Sequence, residues 1–162
     1  MEKPNSSTVL LTGATGYVGG RLLPLLRKRG CRVRCLTRRE SSESNFNSPD
    51  VEVAIGNALD IESLNTALSG VETAYYLIHS MGDNEDFEKT DRRAAENFAK
   101  ACSTQNVKRI VYLGGLGDPS DRLSKHLRSR QEIGDILRAS SCLLYTSPSP
   151  RDQRGPRMPS SA

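Results

Sequence analysis

The sequence predicts a doubly wound α/β fold with a parallel sheet. Three observations predict it. Short apolar runs of strand type recur along the chain, and most are followed by a stretch with helical spacing. The first run ends in glycines that open the first helix. Such alternation makes βαβ units, whose crossovers are right-handed. At 162 residues the chain is long enough for one domain core. Trp is absent and aromatic content is 5%, so that core must be built mainly from Leu, Val, Ile and Ala.

Taken in order, "STVLLTG" (7–13) reads as a buried parallel strand. A helix is expected from Tyr17 to Arg29, with Val18, Leu22, Leu25 and Leu26 on its apolar face. Pro24 removes one backbone donor inside it and should kink or tighten it, and Gly30 is a plausible stop. "RVRCLT" (32–37) is a second strand, and the polar run 40–50 a loop. "VEVAIG" (51–56) is a third strand, followed by a short helix from Ile61 to Ser69 that Asp60 can cap. "ETAYYLIH" (72–79) is a fourth strand. A long helix is expected from Asp83 to Gln105, with Phe87, Ala94, Ala95, Phe98 and Cys102 at helical spacing. "RIVYLGG" (109–115) is a fifth strand, and 121–140 a further helix.

Composition excludes several function classes. The net charge of +4 is partly terminal, since Arg151, Arg154 and Arg157 face only Asp152, so no basic stripe for nucleic acid is present. No apolar run approaches the ~18 residues of a membrane span, and "MEKPNSS" lacks the order of a signal peptide. Cys31, Cys35, Cys102 and Cys142 are scattered without a C-x-x-C, so no metal site is expected and the thiols suit a reducing cytoplasm.

The chemistry concentrates in "TGATGYVGG". Gly13 allows a tight turn, Gly16 lets the backbone approach a pyrophosphate, and Gly19 allows close helix–strand packing. A helix that starts there offers free N–H groups and a positive dipole end to phosphates. The spacing G-x-x-G-x-x-G resembles that of the short-chain dehydrogenase/reductase superfamily, in its extended and atypical members. "YYLIHSMG", "RIVYLGGLGD" and "LSKHLRSRQEIGDIL" resemble more narrowly the bacterial atypical branch with an NmrA-like, Rossmann-type NAD(P)-binding domain. The resemblance covers residues 7–141 and implies a second, C-terminal domain in the parent protein. It implies that Thr12, Gly13, Thr15, Gly16, Tyr17, Val18 and Gly19 line the cofactor at the first turn, and Ile78 and His79 at the end of the fourth strand.

The second strand ends in Arg38 and Arg39, where a preference for NAD(H) would call for a carboxylate. A guanidinium there can hold a 2′-phosphate, so NADP(H) is expected over NAD(H), unless both arginines are merely solvated surface charge. "GNALD" (56–60) resembles the family's G-D-x-x-D, whose first acid sits near the adenine; Asn57 stands in its place and can still hydrogen-bond a base edge.

Active members of the superfamily use Ser, Tyr and Lys, with Tyr-x-x-x-Lys on the helix after the fifth strand. Alignment puts His126 at the Tyr position and Arg130 at the Lys position, while the Ser falls within "GGLG" (114–117). Two readings stay open. One is a reductase of a carbonyl or quinone substrate, in which His126 donates the proton and Arg130 orients the ribose. The other is an NAD(P)-sensing regulator without turnover, with His126 a surface histidine.

The end of the chain breaks the pattern. Pro148, Pro150, Pro156 and Pro159 are half of the eight prolines, and no apolar periodicity follows Tyr145. One reading is a disordered linker to a second domain. The other is that "CLLYTSPSPRD" and "RMPSSA" resemble translated transposase-type sequencing adapter. The native sequence would then stop at Ser141 within an incomplete domain, and 142–162 would be a non-native, irregular tail. "CLLYT" is nonetheless apolar and strand-like, and it falls where a sixth strand is due, so it is expected to be able to dock beside the fifth.

Overall fold

Ten elements alternate along the chain in a computed structural model that describes residues 7–39, 46, 48–79, 86–114 and 125–147. They are β1 (Thr8–Thr12), α1 (Tyr17–Lys28), β2 (Arg32–Thr37), β3 (Val51–Ile55), α2 (Ile61–Leu68), β4 (Val71–Tyr76), α3 (Asp86–Thr104), β5 (Arg109–Leu113), α4 (Lys125–Arg138) and β6 (Leu143–Ser147). The six strands form one parallel sheet in the order β3-β2-β1-β4-β5-β6. This is the doubly wound, Rossmann-like arrangement. The chain winds outward from β1 through β2 to β3, then returns to lay β4, β5 and β6 on the other side of β1. The reversal leaves a crevice at the C-terminal ends of β1 and β4, where open α/β sheets hold their ligands.

Alternation of side chains across the strands creates two cores. On one face, Leu10, Ala74, Tyr76, Ile110 and Tyr112 pack against α2, α3 and α4 through Leu64, Leu68, Phe98, Ile133 and Leu137. Phe98 meets Tyr76 edge-on, with ring centroids 4.8 Å apart. Each of these large side chains, once buried, contributes about 1.5–3 kcal/mol. On the other face, Val9, Leu11, Val33 and Cys35 are covered by Leu23 and Leu26 of α1 and by Phe46. Phe46 lies in the polar 40–50 run expected to be loop and anchors that connection on this second core.

One expectation changes on folding. The apolar face of α1 was expected to hold Val18, Leu22, Leu25 and Leu26. The helix instead buries Gly19, Leu23 and Leu26, while Val18 and Leu25 are exposed. The reason lies in Gly19, which must sit against the turn before the helix and so fixes the helix's rotation. Of the 142–162 tail, "CLLYT" was expected to be able to dock beside the fifth strand, and it does. Leu143–Ser147 forms β6 in parallel register with β5, Arg109 opposite Leu143 and Leu113 opposite Ser147. It is an edge strand with Leu143 and Tyr145 exposed. The remainder of that tail lies outside the described residues. Among the described residues, no helix is long and apolar enough to cross a membrane.

Candidate functional site

The crevice between β1 and β4 is built by backbone and one hydroxyl. Gly13 takes a φ of 66° just past β1. A Cβ at that position would lie 2.8 Å from the Leu77 carbonyl oxygen, so only glycine lets the two strand ends approach. Thr12, expected to line the cofactor, is fully buried at the end of β1. Its Oγ1 donates to the Tyr75 carbonyl and accepts from the Leu77 N–H, each at 2.9 Å. The donor and one acceptor lone pair of that hydroxyl thus latch β1 to the end of β4. Its part in the site is to hold the crevice at a fixed width.

The turn then hands over to α1. Gly16 N–H donates to the Gly13 carbonyl at 3.0 Å, and Gly16 is the N-cap, with no side-chain capping bond. The first N–H groups of α1 are therefore left to an external acceptor, in the setting where a helix dipole favours an anion. Gly19 is packed hardest: a Cβ there would lie 2.2 Å from the Gly13 carbonyl oxygen and 2.8 Å from Ala14 Cα. Gly16 meets only the Gly13 oxygen, at 3.2 Å, and is open on its outer side. Thr15, Tyr17 and Val18 are exposed along this rim. Arg21 stacks over the Tyr17 ring at 4.0 Å and donates to its hydroxyl, which holds the ring at the helix start. These residues fit a pyrophosphate-bearing dinucleotide, because a glycine surface, open amides and a helix N-terminus converge without an acidic side chain.

Arg38 and Arg39 follow β2 and are exposed, and neither has an ion-pair partner among the described residues. The hydroxyl of Thr37 donates to the Arg39 carbonyl at 3.4 Å. Asn57 lies just beyond β3, where the Gly56 N–H donates to Thr37 O at 2.8 Å. Thr37 pairs with Ile55 in the last register position, so Arg38 and Gly56 leave the two strands at the same level. Asp60 accepts from the Glu62 N–H at 3.1 Å, the capping role expected of it.

The far end of the crevice holds a buried polar cluster. Ile78 packs on the larger core, and His79 lies beside Tyr112, with ring centroids 6.1 Å apart. Burial lowers the His79 pKa from its ordinary value, as does nearby Arg130, while Asp91 opposes them. Burial raises the Tyr112 phenol to about 12, with Arg130 pulling it down and Asp91 pushing it up. The Tyr112 hydroxyl donates to the Arg130 carbonyl at 2.9 Å and pins that turn of α4 onto β5. His126 stands one helical turn before Arg130, in the first turn of α4. Of the stretch 114–117, in which the superfamily's Ser was expected to fall, only Gly114 is among the described residues.

Sequence reading missed Asp91, which is 5% exposed in this cluster. The signal was available: position 91 is four residues after Phe87 and four before Ala95, both buried, so it shares their face. Among the described residues, no group of His, Cys, Asp or Glu could hold a metal ion.

Comparison with known proteins agrees with this geometry. A family model described as NAD(P)H-binding matches residues 13–143. Sterol demethylase protein B of Methylococcus capsulatus is 31% identical over 68% of the chain and 35% of its own length. Ceramide reductase of Caulobacter vibrioides is 28% identical over 86% of the chain and 45% of its own length. The chain thus spans less than half the length of these relatives. Among solved structures, the Bordetella bronchiseptica enzyme WbmH in complex with NAD+ superposes with a TM-score of 0.72 at 20% identity, covering 88% of this chain and 55% of that one. Citrobacter triphenylmethane reductase, complexed with NADP(H), gives 0.71 at 21% identity, covering 86% and 48%. Those two likenesses speak to the fold; the family model speaks to the chain itself. The chain belongs to the NAD(P)H-binding family, and its fold is that of a dinucleotide-binding domain.

Proposed function

We propose that the chain is the cofactor-binding part of an NADPH-dependent reductase acting on a carbonyl or quinone substrate, and that Arg38 selects NADPH over NADH. The observation that carries this reading is the end of β2. Two exposed arginines without ion-pair partners among the described residues stand where a ribose-reading carboxylate would be needed for NAD(H). A forked guanidinium matches a phosphate dianion and has nothing comparable to offer a hydroxyl.

A bound reduced dinucleotide would supply the hydride. The chain's own residues divide the remaining work. The α1 N-terminus and Gly16 hold the pyrophosphate, and Arg38 holds the 2′-phosphate. Near β4 and β5, Arg130 orients the ribose and His126 gives its proton to the substrate oxygen. Further residues that close over the substrate belong to a second, C-terminal domain of the parent protein. We also read 142–162 as adapter-derived. Sequencing the source locus past codon 141 tests that reading, and a native sequence identical to 142–162 would end it.

The test of cofactor choice is calorimetric titration with NADPH and NADH. A charge-assisted contact of about 1.5–3 kcal/mol should make NADPH bind about 10- to 150-fold tighter. Arg38→Ala should remove most of that ratio and Arg39→Ala less. Equal affinity for both cofactors, unchanged by either substitution, would sink the assignment. Reductase activity is tested by NADPH oxidation with carbonyl and quinone acceptors on the chain extended through its native downstream sequence. Tight binding with no turnover would favour a sensor.

A further inference from the structure

We infer that Asn57 reads the cofactor's purine as a hydrogen-bond donor, so the site accepts hypoxanthine in place of adenine. This rests on the dinucleotide reading above and concerns the base end of the same site. The 2′-phosphate and the base are attached to neighbouring carbons of one ribose. If Arg38 holds the first, the second lies within reach of the residues beside Arg38. Those residues are the end of β3 and the loop that follows, since Gly56 is bonded to Thr37 directly before Arg38. Here Ile55 and Leu59 are exposed, 50% and 37% respectively, and offer apolar walls to a purine. Asn57, also exposed, is the polar residue between them.

Which atom of Asn57 faces outward is settled by its own loop. The Leu59 N–H donates to Asn57 Oδ1 at 3.0 Å, and an N–H can donate only to the oxygen of that amide. The loop is tied down further. Asn57 N–H donates to Ser63 Oγ at 3.0 Å, and the Asp60 N–H donates to Asn57 O at 2.9 Å. The oxygen is therefore turned inward, and Nδ2, with no hydrogen-bond partner among the described residues, is the atom left for a ligand. An NH₂ group cannot accept from the 6-amino group of adenine. It can donate to N1 or N7 of adenine, and equally to O6 or N7 of hypoxanthine. A carboxylate at this position would do the reverse. One of its oxygens would keep the Leu59 turn, and the other would face outward as an acceptor for the 6-amino group.

The experiment is calorimetric titration of the full 162-residue chain with NADPH and with reduced nicotinamide hypoxanthine dinucleotide phosphate, repeated for Asn57→Asp. The wild type should bind the two within about threefold, since the same single donor serves both bases. Asn57→Asp, which retains the turn to Leu59 N–H, should favour NADPH by about five- to tenfold, the worth of one ordinary hydrogen bond. Its added negative charge weakens both ligands alike, so the ratio is the readout. A wild type that prefers NADPH more than tenfold would overturn the inference while leaving the cofactor reading intact. So would an unchanged ratio in Asn57→Asp. If neither dinucleotide binds, the cofactor reading fails and this inference with it.

Discussion

Alanine placed at two adjacent glycines of α1 should have opposite effects. Gly19 and Gly20 are both in the helix, so Ala at either gains about 0.5–1 kcal/mol from reduced backbone freedom. They differ in what the new methyl meets. At Gly20 the nearest atom is the Ala14 carbonyl oxygen at 3.7 Å, an ordinary contact. At Gly19 the Cβ would lie 2.2 Å from the Gly13 carbonyl oxygen and 2.8 Å from the Gly13 carbon and Ala14 Cα. All three are backbone atoms of the turn, and none can swing aside. The helix must move outward or the turn must open, an overpacking cost of about 1–3 kcal/mol. Because the helical gain is common to both variants, the difference between them isolates that steric cost. Equilibrium urea unfolding measures it. At an m-value of about 1–3 kcal/mol/M, the two midpoints should separate by roughly 1 M, with Gly20→Ala above wild type and Gly19→Ala below. NADPH affinity, followed in parallel, should fall for Gly19→Ala, whose α1 amides have shifted, and hold for Gly20→Ala. Unfolding free energies within about 0.5 kcal/mol of one another, with equal affinities, would refute the claim that Gly19 sets the seat of the helix.

Two further outcomes follow from buried polar groups. Thr12→Val keeps the shape of the side chain but leaves the Leu77 N–H without its acceptor, and should cost about 1–3 kcal/mol in urea unfolding; Thr12→Ser should retain most of the stability. A Val variant as stable as wild type would show that the latch is not needed. His79 is held in its neutral form by burial and by Arg130, against Asp91. The unfolded chain, with an ordinary histidine near pH 6.5, therefore binds the proton first as pH falls. Stability is full above that value and declines as pH drops through the lowered native pKa. His79→Gln should flatten the decline below about pH 6.5, and an unchanged slope would assign it to other groups.

Much of this was legible because it is local. The glycine turn, the strand–helix alternation and the Asp60 cap each depend on residues within a few positions of one another. The periodicities of 2 and 3.6 place them without knowledge of the rest of the chain. Asp91 was legible too, from its spacing between Phe87 and Ala95, but a carboxylate on a buried face contradicts the ordinary pattern and was passed over.

The sequence by itself determined the order of elements, the parallel sheet and the nucleotide-binding turn. Only the tertiary structure decided which way α1 faces, because its apolar residues allow more than one stripe and the Gly19 contact with Gly13 selects one. It alone decided that Phe46 is buried in a polar segment, and that the hydroxyl of Thr12 bonds to the Tyr75 carbonyl and the Leu77 N–H. It also turned the oxygen of Asn57 inward and left its NH₂ group outward. The physical reason differs from case to case. The partners of Thr12 lie on β4 and just beyond it, more than sixty positions away, and no periodicity reports a contact at that range. The partner of Asn57 is only two residues on, but which of two chemically similar atoms faces solvent depends on loop geometry that residue type leaves open.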